Sequence, residues 1–128
     1  MLITSIHNEH IKELEKLKEK KYRDQTGLFL VETKHLAIEA YRAGLLEELI
    51  VEQNEIFPID APITYVSKEI LKKLSSTTTP PKVMAVVKKK ENTKDIGEKV
   101  LILDRIQDPG NLGTIIRSAV AFNIDTII

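Results

Sequence analysis

Apolar residues follow two different spacings in the first ninety residues. Between Asn8 and about Arg23, the residues Ile11, Leu14 and Leu17 recur at every third position, which predicts one amphipathic helix. Short apolar runs without this spacing are typical of buried strands. Four such runs predict four strands: Leu28–Val31, Leu49–Val51, Ile63–Val66 and Val83–Val87.

Capping residues place two further helices between these strands. Thr33 is a preferred N-cap residue and Gly44 a preferred residue just beyond a helix end, so a helix is predicted from Thr33 to Gly44. Ser67 begins a second, short helix that carries Ile70 and Leu74. Strands that alternate with short helices indicate an α/β fold around a parallel or mixed sheet.

The stretch from Lys88 to Glu98 is polar, charged and without apolar periodicity, which is typical of a linker between domains. We therefore place a first domain at residues 1–90 and the linker at residues 91–98. A second unit occupies residues 99–128. The sequence shows no internal repeat that would favour a different division.

The second unit has the pattern of a β-α-β segment. Its predicted elements are an apolar strand at Val100–Leu103, a glycine-containing loop, a helix that Asn123 ends, and a strand that begins at Ile124. The apolar side of that helix is formed by Ile115, Ile116, Ala119 and Val120. A segment of this size cannot bury both faces of its own sheet, so we expect it to be the start of a larger α/β domain.

The composition excludes several kinds of chemistry. The chain has 128 residues with no cysteine, and its three histidines follow no recurring ligand spacing, so we expect no thiol chemistry, disulfide or metal site. Apolar residues make up 42% of the chain, enough for a core without such cross-links. No apolar run approaches about eighteen residues and no signal-peptide pattern is present. We therefore expect a soluble, cytoplasmic protein with no membrane partner.

Charge is distributed unevenly, although nineteen basic and nineteen acidic residues give a net charge of zero. Residues 68–90 contain one acidic residue, Glu69, and seven lysines: Lys68, Lys72, Lys73, Lys82, Lys88, Lys89 and Lys90. Such a tract is either a solvated face or a surface for the phosphates of a nucleic acid. It indicates a nucleic-acid surface only if the fold brings the lysines together.

The most informative local pattern is the sequence D-P-G-N-L-G at residues 108–113, between the predicted strand and helix. Open α/β sheets place ligand sites at such connections. Pro109 and Gly110 favour a tight turn, Gly113 permits close approach to the backbone, and free N–H groups at a helix start bind anions. Many structural loops share these features. The third glycine of a dinucleotide-binding fingerprint is missing, which excludes that motif, and the missing lysine excludes a P-loop.

The longer string from Leu103 to Ala119 resembles the first signature motif of the SpoU (TrmH) family of RNA ribose 2′-O-methyltransferases, in the SPOUT superfamily. It contains an acidic residue after the strand, the sequence D-P-G-N-L-G-T, and an arginine followed by a small pair. The first ninety residues are similar to the family's L30e-like substrate-binding domain. The matching residues of its K-x-R-x-x-x-G-x-F-x-V-E-G pattern include Tyr22, Arg23, Gly27, Phe29, Val31 and Glu32.

The resemblance implies a fold class: an L30e-like α/β/α sandwich, followed by the first β-α-β of an incomplete SPOUT domain of the knotted α/β type. Ala85 and Val86 fall in a later pattern of the same substrate-binding domain. Two positions depart from the family. Thr33 stands where the family has glycine, and Lys82 stands near the glycine of its P-Q-G loop, so we expect the loops on the RNA side to differ from those of typical members.

The resemblance also implies roles for individual residues. Arg117 and Asn111 match the arginine and asparagine at the family's active site, where the arginine is proposed to activate the ribose 2′-hydroxyl and the asparagine to place it. The structural alternative is that Arg117 pairs with Asp108 on an exposed helix. The candidate RNA-binding residues are Arg23, Glu32, Gly110 and Gly113, to which the lysine tract adds Lys72, Lys73 and Lys82. For Arg23 and Glu32, an internal ion pair is an equal alternative.

The same resemblance implies S-adenosylmethionine as the cofactor and structured RNA, ribosomal or transfer, as the partner. It also implies a homodimer and the absence of a metal. In this family two later motifs form a trefoil knot around the cofactor, and neither is in this sequence. We therefore expect an amino-terminal part of an enzyme, without a cofactor pocket and inactive alone. The alternative is a non-catalytic L30e-like RNA-binding module. The detailed first motif favours the enzyme, because an RNA binder has no need of it.

Overall fold

The computed structural model describes residues 2–128, which form two compact units, one ending at Lys90 and one extending from Glu91 to Ile128. The strands of the first unit are β1 (Leu2–Ile3), β2 (Leu28–Val31), β3 (Leu46–Glu52), β4 (Ile63–Val66) and β5 (Val83–Lys88). Its helices are α1 (Glu9–Lys16), α2 (Lys20–Thr26), α3 (Lys34–Arg42) and α4 (Lys68–Leu74).

The five strands form one mixed sheet in the order β1-β4-β3-β5-β2. The strands β1, β4 and β3 are parallel, whereas β5 is antiparallel to both β3 and β2. This confirms the predicted α/β fold with a mixed sheet. Strand β1 was not predicted, because two residues are too few to show a periodicity. Strand β2 lies at one edge, so one side of it has no neighbouring strand.

The central strands are buried on both faces, which explains why they are apolar without alternation. On one face, Ile50 of β3 lies in a core cluster with Ile11 of α1 and Leu71 of α4. On the other face, Leu49 lies in a second cluster with Ala37 of α3. The result is a three-layer α/β/α sandwich with a separate apolar core on each side of the sheet.

The predicted single helix from Asn8 to about Arg23 is wrong, because the chain forms α1 and α2 with a corner between them. Leu17 ends α1, and Glu19 has an extended backbone (φ −97°, ψ 133°) where α2 begins. The Nη1 group of Arg23 donates to the carbonyl oxygens of Leu17 and Lys18 at 3.0 and 2.7 Å. These bonds satisfy carbonyl groups that a helix end leaves unpaired, and so they stabilise the corner.

The caps predicted for α3 and α4 are confirmed. Thr33 Oγ1 accepts the N–H of Leu36 at 3.1 Å, and Ser67 Oγ accepts the N–H of Ile70 at 3.4 Å. Gly44, just after α3, has a left-handed backbone with φ 71°. Thr33 itself is extended (φ −130°, ψ 151°), so this position does not require glycine. Threonine therefore replaces the family's glycine here without backbone strain and adds a helix cap.

The second unit consists of β6 (Val100–Leu101), α5 (Pro109–Ala121) and β7 (Thr126–Ile127). Strands β6 and β7 are parallel neighbours, with Val100 opposite Thr126. Strand β6 is shorter than the predicted Val100–Leu103, since only its first two residues pair. Asn123 has φ 56° just after α5, which confirms the predicted left-handed helix end.

Helix α5 begins at Pro109, so the prediction of a loop that continues to Gly113 is wrong. The side chain of Asp108 accepts the N–H of Gly110 at 2.7 Å, and proline is favoured at the first helical position because its fixed φ suits a helix. The predicted apolar side of α5 is only partly covered: Ala119 is 4% exposed, but Val120 is 71% exposed.

No helix among residues 2–128 is long and apolar enough to cross a membrane.

Candidate RNA-binding surfaces and catalytic helix

The lysines of residues 68–90 contact different parts of the first unit and do not form one patch. Lys73 Nζ lies 3.4 Å from Oε2 of Glu15 on α1. Lys88 Nζ lies 3.1 Å from Oε2 of Glu47 on β3. Because each of these ammonium groups is paired with a different carboxylate, the tract as a whole is not a continuous basic surface.

Lys72 and Lys82 lie together on one concave surface, with the loop of residues 78–81. Lys82 Nζ is 3.0 Å from Oε1 of Glu55, and that hydrogen bond raises the pKa of Lys82. Lys72 has no ion-pair partner among residues 2–128, but Glu69 lines the same surface. The structure thus brings Lys72 and Lys82 together and separates them from Lys73, which contacts α1.

Arg23 and Glu32 do not form an ion pair with each other in the described part of the chain. Arg23 donates from Nη1 to the main-chain oxygens at the end of α1, as described above. The Glu32 carboxylate accepts from Ser75 Oγ and Ser76 Oγ, both at 2.5 Å, and from Ser76 N–H. Each of the two charged groups therefore has its own structural partners, although both line the same recess beside β2.

Glu32 is held as a carboxylate in a partly buried position. Burial raises its pKa, but the hydrogen bonds from Ser75 and Ser76 and the charge of Lys18 outweigh burial, and the pKa is lowered overall. Glu32 follows β2 directly, and Ser75 and Ser76 follow α4. The carboxylate thus joins two segments that are more than forty residues apart in the sequence.

The catalytic candidates lie on α5, where both side chains are exposed. Gly110, Gly113 and Arg117 occupy positions i, i+3 and i+7, which share one face of a helix opposite Ala119. A Cβ atom at Gly110 would lie 3.1 Å from Asp108 Oδ1, whereas at Gly113 it would meet no atom of residues 2–128 within 4 Å apart from its chain neighbours and its own helix backbone. Gly110 thus makes room for the helix cap, and Gly113 leaves open space one turn before Arg117.

The predicted alternative role of Arg117, an ion pair with Asp108, does not form among residues 2–128. Asp108 instead caps its own helix through the N–H of Gly110. Asn111 lies in the first turn of α5, where main-chain N–H groups point toward the start of the helix. Within residues 2–128, Arg117 is therefore a cation without an acidic partner, and it lies on the same exposed helix as the Asn111 amide.

The recess beside β2 also contains residues that are not among the predicted site residues. Lys18 is in the corner between α1 and α2, Ser76 follows α4, and Lys89 follows β5. Ser75 and Ser76 begin a polar run before Pro80 and Pro81 that indicates a loop, but nothing local in the sequence indicates their partner. Only the packing of α1, β2 and α4 brings these residues to one place.

Two family descriptions match the chain. Residues 8–85 match the MRM3-like substrate-binding domain, and residues 98–128 match the SpoU rRNA methylase family. Among curated proteins, the 23S rRNA (guanosine(2553)-2′-O)-methyltransferase RlmP of Bacillus subtilis (strain 168) is 35% identical over 131 residues. That alignment covers 98% of this chain and 53% of the relative.

Two solved structures have the same fold over nearly the whole chain. A crystal structure of an RNA 2′-O ribose methyltransferase superposes with a TM-score of 0.79 at 32% sequence identity. The superposition covers 99% of this chain and 54% of the methyltransferase chain. The AdoMet-bound rRNA methyltransferase from Sinorhizobium meliloti gives a TM-score of 0.75 at 27% identity, with coverage of 99% and 53%.

The chain spans about half the length of each of these three proteins. The first-unit match includes the pattern around Arg23 and Glu32, and the second-unit match includes the D-P-G-N-L-G-T sequence and Arg117. The chain therefore belongs to the SpoU (TrmH) family of RNA methyltransferases, with an MRM3-like substrate-binding domain at residues 8–85 and SpoU methylase sequence at residues 98–128.

Proposed function

We propose that the whole protein transfers a methyl group from S-adenosylmethionine to a ribose 2′-oxygen of RNA. In this proposal residues 1–90 bind the RNA, residues 91–98 link the domains, and residues 99–128 supply the first part of the catalytic centre. Ribosomal RNA is the favoured substrate, because the Bacillus subtilis relative is named for 23S rRNA. The observation that carries the proposal is the exposed α5 motif, in which Arg117 has no acidic partner among residues 2–128.

The role of Arg117 follows from its charge. A guanidinium does not lose its proton near neutral pH, so it is a poor general base. A fixed cation beside the 2′-hydroxyl lowers the free energy of the alkoxide that forms as the hydroxyl proton leaves. Its planar group of N–H donors can hold the adjacent phosphate at the same time. Asn111 is proposed to place the hydroxyl through its side-chain amide.

S-adenosylmethionine supplies the methyl group in this proposal, supported by the AdoMet-bound Sinorhizobium meliloti structure. A concave surface of the second unit, formed by residues 92–97 and 125–128, does not fit the cofactor. No aromatic side chain from the described residues 2–128 lines this surface. Its Asp125 carboxylate already accepts the N–H groups of Glu98 and Lys99, each at 3.1 Å. We therefore assign none of residues 2–128 to the cofactor.

The remaining parts of the proposal concern the setting of the reaction. We propose a cytoplasmic homodimer that uses no metal. Among residues 2–128, no group of three or more histidine, cysteine, aspartate or glutamate side chains is placed to hold a metal ion. The chemistry of Arg117 and Asn111 requires only charge and hydrogen bonding, which is compatible with a mechanism without a metal.

The proposal is tested with the whole protein, labelled S-adenosylmethionine and ribosomal RNA transcripts. We expect label in RNA, within dinucleotides that resist alkaline hydrolysis, since a 2′-O-methyl group blocks cleavage at its own nucleotide. Label on a base would overturn the ribose assignment. RNA binding without methyl transfer, in a protein that binds S-adenosylmethionine, would favour the alternative of a non-catalytic RNA-binding module.

A further inference from the structure

A recess with an apolar floor lies beside the edge strand β2; we call it the β2 recess. Its floor is formed by Leu17 at the end of α1, Leu30 of β2 and Leu74 of α4, and its volume is about 470 Å³. Leu17 and Leu74 belong to the core and are 4% and 2% exposed. The recess thus lies at the edge of the hydrophobic core, and its volume is in the range of sites for small organic groups.

Cationic groups from three different segments surround this floor. They are Lys18 in the α1–α2 corner, Arg23 in α2 and Lys89 after β5. The Nζ group of Lys18 also donates to the carbonyl oxygen of Lys73. Among residues 2–128, Glu32 is the one carboxylate that lines the recess. Because the cations are spread around an apolar floor, the recess suits a ligand that has an apolar face and anionic groups at its ends. A small inorganic anion would not use the floor.

Arg23 lines the recess and retains hydrogen-bonding capacity. Its Nη1 group uses both of its N–H bonds on the carbonyl oxygens of Leu17 and Lys18. The guanidinium has five N–H donors, and the other three have no acceptor among residues 2–128. A ligand with carbonyl or ring-nitrogen acceptors can therefore bind to Arg23 without breaking the corner between α1 and α2.

Lys89 can exchange its partner at small energetic cost. Its Nζ lies 2.7 Å from Asp24 Oδ1, and Lys20 Nζ lies 2.6 Å from Oδ2 of the same carboxylate. The hydrogen bond from Lys20, which has the larger effect, and the one from Lys89 lower the pKa of Asp24 to about 2. If a phosphate takes Lys89, Asp24 keeps Lys20, so no carboxylate is left without a cation.

We propose that the β2 recess binds one unpaired nucleotide of the RNA. The base lies against Leu17, Leu30 and Leu74, Arg23 donates to an acceptor on the base edge, and Lys18 and Lys89 contact phosphates on either side. Bases of single-stranded RNA are recognised by burial of their flat faces together with hydrogen bonds to their edges. This inference rests on the proposed function, since it takes RNA as the substrate.

Glu32 is a positioning residue in this site. Its carboxylate is used by Ser75 and Ser76, so it holds the start of the α4–β5 loop at the rim and does not itself contact the base. Both charged residues of the family pattern around β2 thus serve the recess in this proposal. Arg23 contacts the nucleotide, and Glu32 fixes the part of the wall that Ser76 forms.

The test uses the 128-residue chain and a fluorescent ten-nucleotide oligouridylate, with binding followed by fluorescence anisotropy over a range of salt concentrations. The matched variants are Lys89→Ala and Lys88→Ala, adjacent lysines that are both ion-paired, of which only Lys89 lines the recess. We expect Lys89→Ala to reduce the slope of log affinity against log salt by about 0.7, the value for one phosphate of a single strand. Lys88→Ala should leave the slope unchanged.

A second probe tests the base. A tetrahydrofuran abasic oligomer of the same length and charge should bind at least about tenfold more weakly than oligouridylate, because it loses base contacts. Independently of any variant, the amide resonances of Leu30 and Ser76 should shift when oligouridylate is added. Thermal melting monitored by circular dichroism verifies that both variants are folded, and Lys89→Gln replaces Lys89→Ala if that variant does not fold.

The outcomes separate this inference from the proposed function. Equal effects of the two lysine variants, equal affinity of the abasic oligomer, or shifts confined to residues outside the recess would overturn the β2 recess as the nucleotide site while leaving RNA binding intact. If the chain bound neither oligouridylate nor structured ribosomal RNA transcripts, the inference and the proposed RNA-binding role of residues 1–90 would both fail.

Discussion

Glu32 and Ser76 join the end of β2 to the beginning of the α4–β5 loop. The N–H of Ser76 lies 3.1 and 3.2 Å from the two carboxylate oxygens, and its hydroxyl donates to Oε2 at 2.5 Å. A single carboxylate thus fixes both the main chain and the side chain of a residue 44 positions away. This contact connects an edge strand to a loop that no regular secondary structure holds.

We expect Glu32→Gln to destabilise the first unit by about 1–2 kcal/mol, because hydrogen bonds to a charged acceptor are stronger than those to an amide. The measurement is urea unfolding at neutral pH. Glu39→Gln is the matched control, since the Glu39 side chain on α3 forms an ion pair with Arg42, which is exposed. Equal stability of the two variants would contradict the role assigned to Glu32.

The same contact predicts a pH dependence. The pKa of Glu32 is lowered in the folded state, so its contribution is present above the ordinary value of 4.5 and is lost as pH falls through the lower folded pKa. The difference in unfolding free energy between the native chain and Glu32→Gln should therefore shrink as the pH falls below about 4.5. A difference that stays constant down to pH 2 would mean that the carboxylate charge is not responsible.

In the whole protein, Arg117→Ala should lower kcat for methyl transfer by about a hundredfold, or roughly 3 kcal/mol, because the cation acts on charge that develops in the transition state. The affinity for S-adenosylmethionine should hardly change. Arg117→Lys should restore little, since an ammonium group cannot hold hydroxyl and phosphate in one plane. Arg105→Ala removes the same charge from the second unit and serves as the control. Near-normal turnover by folded Arg117→Ala would disprove the catalytic assignment.

Gly97 is in close contact with the Asp125 side chain in the second unit. A Cβ atom at Gly97 would lie 2.1 Å from Asp125 Oδ1, so Gly97→Ala should displace this carboxylate from the N–H groups of Glu98 and Lys99. We expect faster hydrogen exchange of those two amides, measured by NMR. Gly113→Ala is the control, because a Cβ atom there would meet no side chain or distant backbone of residues 2–128 within 4 Å. Unchanged exchange in Gly97→Ala would contradict the contact.

Hydrogen exchange should also distinguish the two sheets. Strand β5 has neighbours on both sides and is buried from Val83 to Val87, so its amides should exchange slowly. Strands β6 and β7 pair over only two residues each and are not buried, so the amides of Val100 and Leu101 should exchange fast in the 128-residue chain. Equally slow exchange in both sheets would show that the second unit is covered in solution.

The sequence alone was sufficient for features that depend on near neighbours or on burial along one element. Strand β5 was identified from an unbroken apolar run, because a strand that is covered on both faces has no polar side. The caps at Thr33 and Ser67 were identified because a cap acts within three residues of itself. The motif from Leu103 to Ala119 identified the family for the same reason, since its residues are contiguous.

Only the tertiary structure decided which distant groups meet. The corner after Leu17 depends on the reach of Arg23, and the position of Ser76 depends on Glu32, a partner from another element. The lysine tract likewise separates, because α4 and β5 direct Lys73 and Lys88 to different carboxylates. The physical reason is that hydrogen bonds and ion pairs act over a few ångströms, and distances between segments that are remote in sequence are set by the packing of the core.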